Sequence, residues 1–553
     1  MNGTRPDDTA RSRVAGLLDR LSTALAARVA VDRRALAAFR IGLGAVLLAD
    51  LAARSRSLTA FYTDAGVLPR RALFADYVGT LSVHALVGEP WAVALVFAVA
   101  GAAALALCVG YRTRLATAVS WLLLLSLHAR NPMVLNAGDD LLLALLFWSL
   151  FLPLGARWSV DAVRRADARD GGAEGTDPAT EGDAGAPALS ATETAVANVA
   201  TMAVLAQVLV MYLTNAVHKF ESELWMSGEA VVYVMQADQF SYLLGNYLAD
   251  FSLLLRAFTV LWVALLFASP LLLLLTGVPR AALASLFVGM HLGMAVTIRV
   301  GLFPIIVVVG FLPFFQTPIW DAVERVVDRL NWAGGVSRWR DRCVSVARRL
   351  NAVDAALPRP IGAERLTALR SGGLGGGLAR GRVLFTTVLP YAFLVLILLS
   401  SAASVGYAEV PDPAEDALDT VEMSQSWQMF APDPIHTTRW VVAVGALEDG
   451  TERDVYRDAA VSFDRPERAE TTYRTSRWRK YLKNVDGADN ENHRSYLANY
   501  LCGDWNRTHE TNVETVTIYR AYERTNPYNG TVEAANEYEL IEYDCSGAFI
   551  QNE

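Results

Sequence analysis

The run Val383-Leu-Phe-Thr-Thr-Val-Leu-Pro-Tyr-Ala-Phe-Leu-Val-Leu-Ile-Leu-Leu-Ser-Ser-Ala-Ala-Ser404 holds no charged residue and is long enough to cross a bilayer as a single helix. The chain changes character directly after it. Ala408–Glu553 contains 28 acidic and 14 basic residues, a net of −14, whereas the whole chain of 553 residues carries −8. So polar a segment after so apolar a one marks the passage from lipid to water.

Upstream of Val383, eight more apolar runs approach bilayer length: Leu36–Ala53, Trp91–Val109, Leu115–His128, Asp139–Leu154, Val196–Val217, Ser252–Thr276, Ala281–Ile298 and Gly301–Gln316. With 53% hydrophobic and 19% charged residues overall, the expected fold is an all-α polytopic membrane helix bundle of about nine transmembrane helices. A small α+β extracytoplasmic domain follows it. The third, fourth and eighth runs are short for a full crossing and suit tilted helices or ones that dip partway. Met1–Val31 reads as a polar arm without a cleavage site of the signal-peptide kind.

Orientation comes from arginine, because short loops rich in positive charge stay in the cytoplasm. Arg28, Arg33 and Arg34, then Arg112 and Arg114, Arg157 to Arg169, Arg280, and the series from Arg325 to Arg349 fall in alternate loops. The expected location is therefore the cell membrane, with the N-terminus cytoplasmic and residues 406–553 outside. Asp167–Ser190 and Ser371–Gly381 read as linkers. Val323, Val326, Val327 and Leu330 lie at helical spacing opposite arginines, so Asp321–Leu350 should run along the inner leaflet.

In the last segment Trp440, Val442 and Val444 alternate into the turn Glu448-Asp-Gly-Thr, a hairpin signal. Glu514–Tyr522 and Glu537–Tyr543 read as strands and Arg474–Leu501 as a helix. Cys502 and Cys545 are either bridged or two buried thiols. Asn506-Arg-Thr508 and Asn529-Gly-Thr531 are acceptor sequons for glycosylation.

Only Lys219, Lys480 and Lys483 are lysine among 49 basic residues. Excluding lysine while keeping an acidic exterior is an archaea-like, halophilic composition. The acidic balance gives no footprint for nucleic acid, and the seven histidines show no metal-ligand spacing. Lys219 is the exception in the membrane region, in Asn215-Ala-Val-His218-Lys219-Phe-Glu221-Ser-Glu223-Leu-Trp225. A lysine can release its proton and act as a base where arginine cannot; the plainer role is to snorkel or to pair with Glu221 or Glu223. His291 lies inside an apolar run, which calls for an interhelical hydrogen bond or a site. The polar, aromatic stretch through Phe251, with Trp225, Tyr233, Tyr242 and Tyr247, fits interfacial helices that cover a lipid-soluble ligand or simply pack.

Four blocks in order carry a resemblance: Phe39-Arg40-Ile-Gly42 with Phe61-Tyr62-Thr63-Asp64-Ala-Gly66-Val-Leu-Pro69-Arg70; Trp158-Ser159-Val160-Asp161; Lys219 with Trp225-x-x-Gly228; and His291 followed by Leu302-Phe303-Pro304 and Pro318-Ile-Trp320. Over residues 34–321 the chain resembles the HTTM (horizontally transferred transmembrane) family, whose membrane domain is shared with vitamin K-dependent gamma-carboxylases. Residues 1–33 then form an arm, 322–382 an Arg-rich loop with a glycine linker, 383–405 the last helix and 406–553 the acidic domain. The resemblance implies catalytic roles for Lys219, as the base toward a membrane quinone (reduced menaquinone or a vitamin K-like quinol), and for His291. It implies carboxylase-like lyase chemistry on a secreted peptide or protein. A departure bears on that activity: Ala156 and Arg157 stand where the carboxylases have a histidine. Ser426-Trp427-Gln-Met429-Phe430-Ala-Pro432 looks like a segment of prokaryotic members. Another branch resembles sporulation-delaying-protein maturation factors, implying a non-enzymatic membrane factor that binds a lipid or secreted peptide.

Overall fold

The computed structural model describes residues 6–173, 194–330, 338, 341–349, 381, 383–487 and 490–551. Of the predicted linkers, residues 174–190 and 371–380 lie outside these residues, but the start of the first, residues 167–173, continues the helix Val160–Ala173 and is no linker. Nine helices of the apolar region matter for the site: α1 (Arg33–Ser55), α2 (Pro90–Val109), α3 (Thr113–Arg130), α4 (Ala137–Ser149), α5 (Val199–Phe220), α6 (Ser252–Ala268), α7 (Gly277–Thr297), α8 (Phe303–Phe311) and α9 (Leu389–Ser404).

Among the described residues, five helices are long and apolar enough to cross a membrane: α1, α2, α5, α7 and Leu384–Ser404, which includes α9. A sixth crossing is possible by length if Phe303–Phe314 and Thr317–Arg329, bent by 102°, form one broken span. Each predicted apolar run is helical, yet length alone does not carry the full set across. The short α4 is the most enclosed, with Leu141, Leu143, Leu145, Leu146 and Trp148 at 0% exposure. It sits against α3, α5 and α8. Large apolar side chains such as Leu95, Val99, Leu253, Val260 and Leu286 stay exposed on outward helix faces. Faces of that kind are stable against lipid rather than water, so the protein associates with a membrane.

The arginine-bearing loops gather at one end. Gly110 ends α2 at φ +71°, where an added Cβ would strike the Arg40 guanidinium. Arg40 donates to the Trp158 carbonyl at 2.5 Å. Asp161 accepts from the backbone N–H groups of Arg112 and Thr113 at 3.0 and 2.8 Å, capping α3. Arg34 pairs with Asp32, Asp321 and Glu324, and Arg280 donates to the Arg28 carbonyl. Thr317–Arg329 lies beside them with Val323 and Val326 exposed, and the rest of the predicted leaflet helix is only partly described.

The C-terminal domain occupies the opposite end. Its strands β1 (Thr438–Leu447), β2 (Glu452–Asp454), β3 (Val513–Thr525) and β4 (Val532–Asp544) form an antiparallel sheet in the order β2-β1-β3-β4. The turn from β1 to β2 has Gly450 at φ +80°, and the Asp449 carboxylate accepts from the Thr451 N–H and hydroxyl. Alternation along β1 misleads in one respect: Trp440, Val441, Val442 and Ala443 are all buried, because both faces of the sheet are covered there. The predicted helix Arg474–Leu501 is instead two, α10 (Ser476–Val485) and α11 (Glu491–Thr508), broken around Asp486 and Gly487. The Thr475 hydroxyl caps α10 by accepting from Trp478 N. Cys502 on α11 is bonded to Cys545 beyond β4, with Cα atoms 5.7 Å apart. Asn506 and Asn529 are exposed, but the Asn506 side chain accepts from Val513 N at 2.8 Å.

The C-terminal domain shares a core with the helices. Phe61 and Tyr62 of the bundle lie in one buried cluster with Trp478 and Tyr481, and the Phe61 and Trp478 rings are 4.7 Å apart. Arg477 enters the bundle to meet Asp50 at 2.6 Å and Asp139 at 2.9 Å, two carboxylates that Arg54 also binds at 2.6 and 2.5 Å.

Domain stability should depend on pH through His493 on α11. The ring is 3% exposed, Nε2 faces the Tyr77 hydroxyl at 3.1 Å and Nδ1 has no partner. Burial pushes its pKa from 6.5 down to about 4, against a smaller upward pull from Asp76. Above pH 6.5 the ring is neutral folded or unfolded; between 6.5 and 4 only the unfolded chain takes up the proton. Acidification through that window should therefore cost about 3 kcal/mol of stability. Chemical unfolding at a series of pH values checks this, and His493→Gln should flatten that part of the profile.

Candidate active site

A cavity of about 790 Å³ lies where α5, α6 and α7 meet the C-terminal domain. Its volume falls in the range that holds a small organic ligand. Met211, Trp262, Met290 and Phe303 supply apolar wall, and the interfacial stretch after Lys219 adds Val231, Val234 and Phe240. Of the interfacial aromatics named from sequence, Trp225 lines the cavity, whereas Tyr242 and Tyr247 are exposed.

Lys219 closes the last turn of α5 and is 3% exposed. It does not snorkel, and no described ion pair joins it to Glu221 or Glu223. Its Nζ donates to the Met429 carbonyl at 2.6 Å and lies 4.1 Å from the centre of the Trp225 ring. One turn earlier, Asn215 Nδ2 donates to the carbonyls of Trp427 and Met429 at 2.9 and 3.1 Å. Trp225 Nε1 donates to the Phe430 carbonyl at 2.8 Å. The Trp427–Phe430 segment from the C-terminal domain thus turns its backbone oxygens to α5.

This segment is anchored more deeply by a polar chain. Trp148 Nε1 donates to Gln207 Oε1 at 3.1 Å, Gln207 Nε2 to Gln425 Oε1 at 2.8 Å, and Trp427 Nε1 to that same oxygen at 2.8 Å. Such a satisfied buried network fixes one arrangement of its members.

His291, 1% exposed in the middle of α7, also lines the cavity. Its Nδ1 is 2.9 Å from the Phe287 carbonyl, which assigns the proton there, and Nε2 then accepts from the Tyr212 hydroxyl at 3.4 Å. The interhelical hydrogen bond expected for His291 is made, and the ring also lines the cavity.

His128, His218 and Asp139 lie off the cavity wall. His128 meets Glu422 at 3.1 Å, and His218 is buried with Nε2 unpartnered. Asp139 caps α4 by accepting from Asn136 N at 2.9 Å and also holds Arg54 and Arg477. Asp140 lines the cavity.

Sequence reasoning missed two features: the Met429 carbonyl as the partner of Lys219, and the cavity position of Lys480 and Lys483. The second had a signal, since these are the other two lysines of the chain. No family model, curated protein or solved structure matches this chain.

Proposed function

We propose that the chain is an HTTM-like membrane protein in which Lys219 acts as a base toward a lipid-soluble quinol, in the manner of the carboxylases it resembles. The observation that carries this reading is that Lys219, the lysine of the apolar helices, and His291 line one largely apolar cavity together. In this reading all nine apolar helices belong to the membrane, with arginine loops in the cytoplasm and the C-terminal domain outside.

The residues suit such a ligand. Trp225, Trp262 and Phe303 offer aromatic faces to a planar ring, and the apolar wall accepts an isoprenoid chain. Lys219 takes the hydroxyl proton, held in place by the Met429 carbonyl and the Trp225 ring. His291 and Tyr212 present a polar pair to the same space. A bound reduced menaquinone would supply, with oxygen, the conversion of quinol to epoxide and water, coupled to replacement of a glutamate γ-proton by carbon dioxide. The C-terminal domain excludes water from Lys219 by laying Trp427–Phe430 across α5.

A second reading has its own support: the Lys219 amine is already bonded to Met429, as in a structural tie. The protein would then be a non-enzymatic factor that binds a lipid or secreted peptide. Labelled bicarbonate, reduced menaquinone, oxygen and a glutamate-rich exported polypeptide separate the two. Label fixed by wild type and not by Lys219→Ala supports the enzyme. Folded wild-type protein that fixes none favours the factor.

A further inference from the structure

Helix α10 carries three of its four basic residues on one face, the fourth, Arg477, being the one that enters the bundle. Ser476, Arg479, Lys480 and Lys483 follow the i, i+3, i+4, i+7 spacing and all line the cavity, while Trp478, Tyr481 and Val485 are buried in the core. From the sheet, Arg439 and Arg520 join the same wall. Six basic side chains, Lys219 included, thus line the cavity against two acidic ones, Asp140 and Asp486. The surplus is local, because the domain as a whole is strongly acidic.

Most of this charge is not neutralised by the protein. Arg520 pairs with Asp486. Arg439 donates to Thr437 Oγ1 at 2.9 Å and Arg479 to the Gln239 carbonyl at 2.8 Å, both uncharged acceptors. Lys480 and Lys483 make no described hydrogen bond or ion pair. Burial first, and then neighbouring cations (Lys483 beside Lys480, Arg439 beside Lys483, Arg520 beside Arg439), hold the pKa values of Lys480, Lys483 and Arg439 below their usual ranges, against a smaller upward pull of Asp140 and Asp139 on Lys480. Crowded cations of this kind are relieved by an anion.

The chemistry narrows the anion. One carboxylate offsets one charge, whereas a phosphate monoester carries about 1.5 to 2 negative charges and three acceptor oxygens, to which arginine forks and lysine amines are suited. The wall made by Met211, Trp262, Met290 and Phe303 is apolar, and a peptide would bring amides there that need partners, while a hydrocarbon chain needs none.

We propose that the α10 face and Arg439 form a binding subsite for the phosphate headgroup of an amphiphile whose apolar tail lies along Met211, Trp262, Met290 and Phe303. The subsite does not depend on Lys219 acting as a base.

The test is calorimetric titration of the full chain in neutral maltoside micelles with dodecyl phosphate, dodecanol, inorganic phosphate and a hexaglutamate peptide. Dodecyl phosphate should bind saturably, and the other three at least about ten-fold more weakly, as expected when charge-assisted bonds and tail burial both contribute. The double variant Lys480→Gln, Lys483→Gln should weaken dodecyl phosphate about ten-fold, and Lys480→Arg, Lys483→Arg should restore it. Arg439→Gln alone gives a second variant should the glutamine pair fail to fold. Dodecanol binding as tightly as dodecyl phosphate, inorganic phosphate or the peptide binding more tightly than it, or glutamine variants that bind unchanged would each overturn the proposal.

Discussion

Lys219→Arg is expected to leave the protein folded and to reduce quinol turnover by about 10²- to 10⁴-fold, the contribution usual for a positioned general base. Arginine keeps the positive charge, can donate to the Met429 carbonyl and can stack on Trp225, so everything a structural tie requires is retained. What it cannot do is give up its proton. The substitution therefore separates the base from the tie, which Lys219→Ala does not, because alanine also strips the Met429 carbonyl of its donor. Full turnover in Lys219→Arg would assign Lys219 to packing alone.

The largest effect on stability is expected at Arg477. This side chain reaches from α10 into the bundle and, with Arg54, balances Asp50 and Asp139 in a buried group of two cations and two anions. Arg477→Leu leaves two buried carboxylates facing one guanidinium, a loss of about 3 to 5 kcal/mol by the usual cost of breaking a buried pair. Thermal unfolding in micelles should show a large fall in midpoint. Adding Asp139→Asn should recover part of it, since the orphaned charge is then removed; additive losses in the double variant would mean that the two residues act separately. Because α10 also carries Arg479, Lys480 and Lys483, loosening it should displace one wall of the cavity as well.

How far the sequence speaks depends on whether a feature is local. The charge-free Val383–Ser404 announces a helix for lipid because its length and composition suffice. The span count is less legible, since α4 is short and central, and hydropathy cannot distinguish a helix buried in protein from one facing lipid. The turn at Asp449-Gly450 reads correctly because turn chemistry is local. Lys219 stands out as a lysine in an arginine-biased chain, but its partner does not: a backbone carbonyl 210 residues away leaves no side-chain signature. The same holds for Arg477, whose contact with Asp139 spans 338 residues and appears only once α10 is seated on the bundle. The Cys502–Cys545 bridge remained one of two alternatives until β4 brought the end of the chain back to α11.

The central claim is tested most directly by incubating purified, folded protein with reduced menaquinone and oxygen and assaying for the quinone epoxide, wild type beside Lys219→Arg and Lys219→Ala. The account predicts epoxide from wild type and essentially none from either variant. Absence of epoxide from folded wild type, or equal amounts from all three, would contradict it.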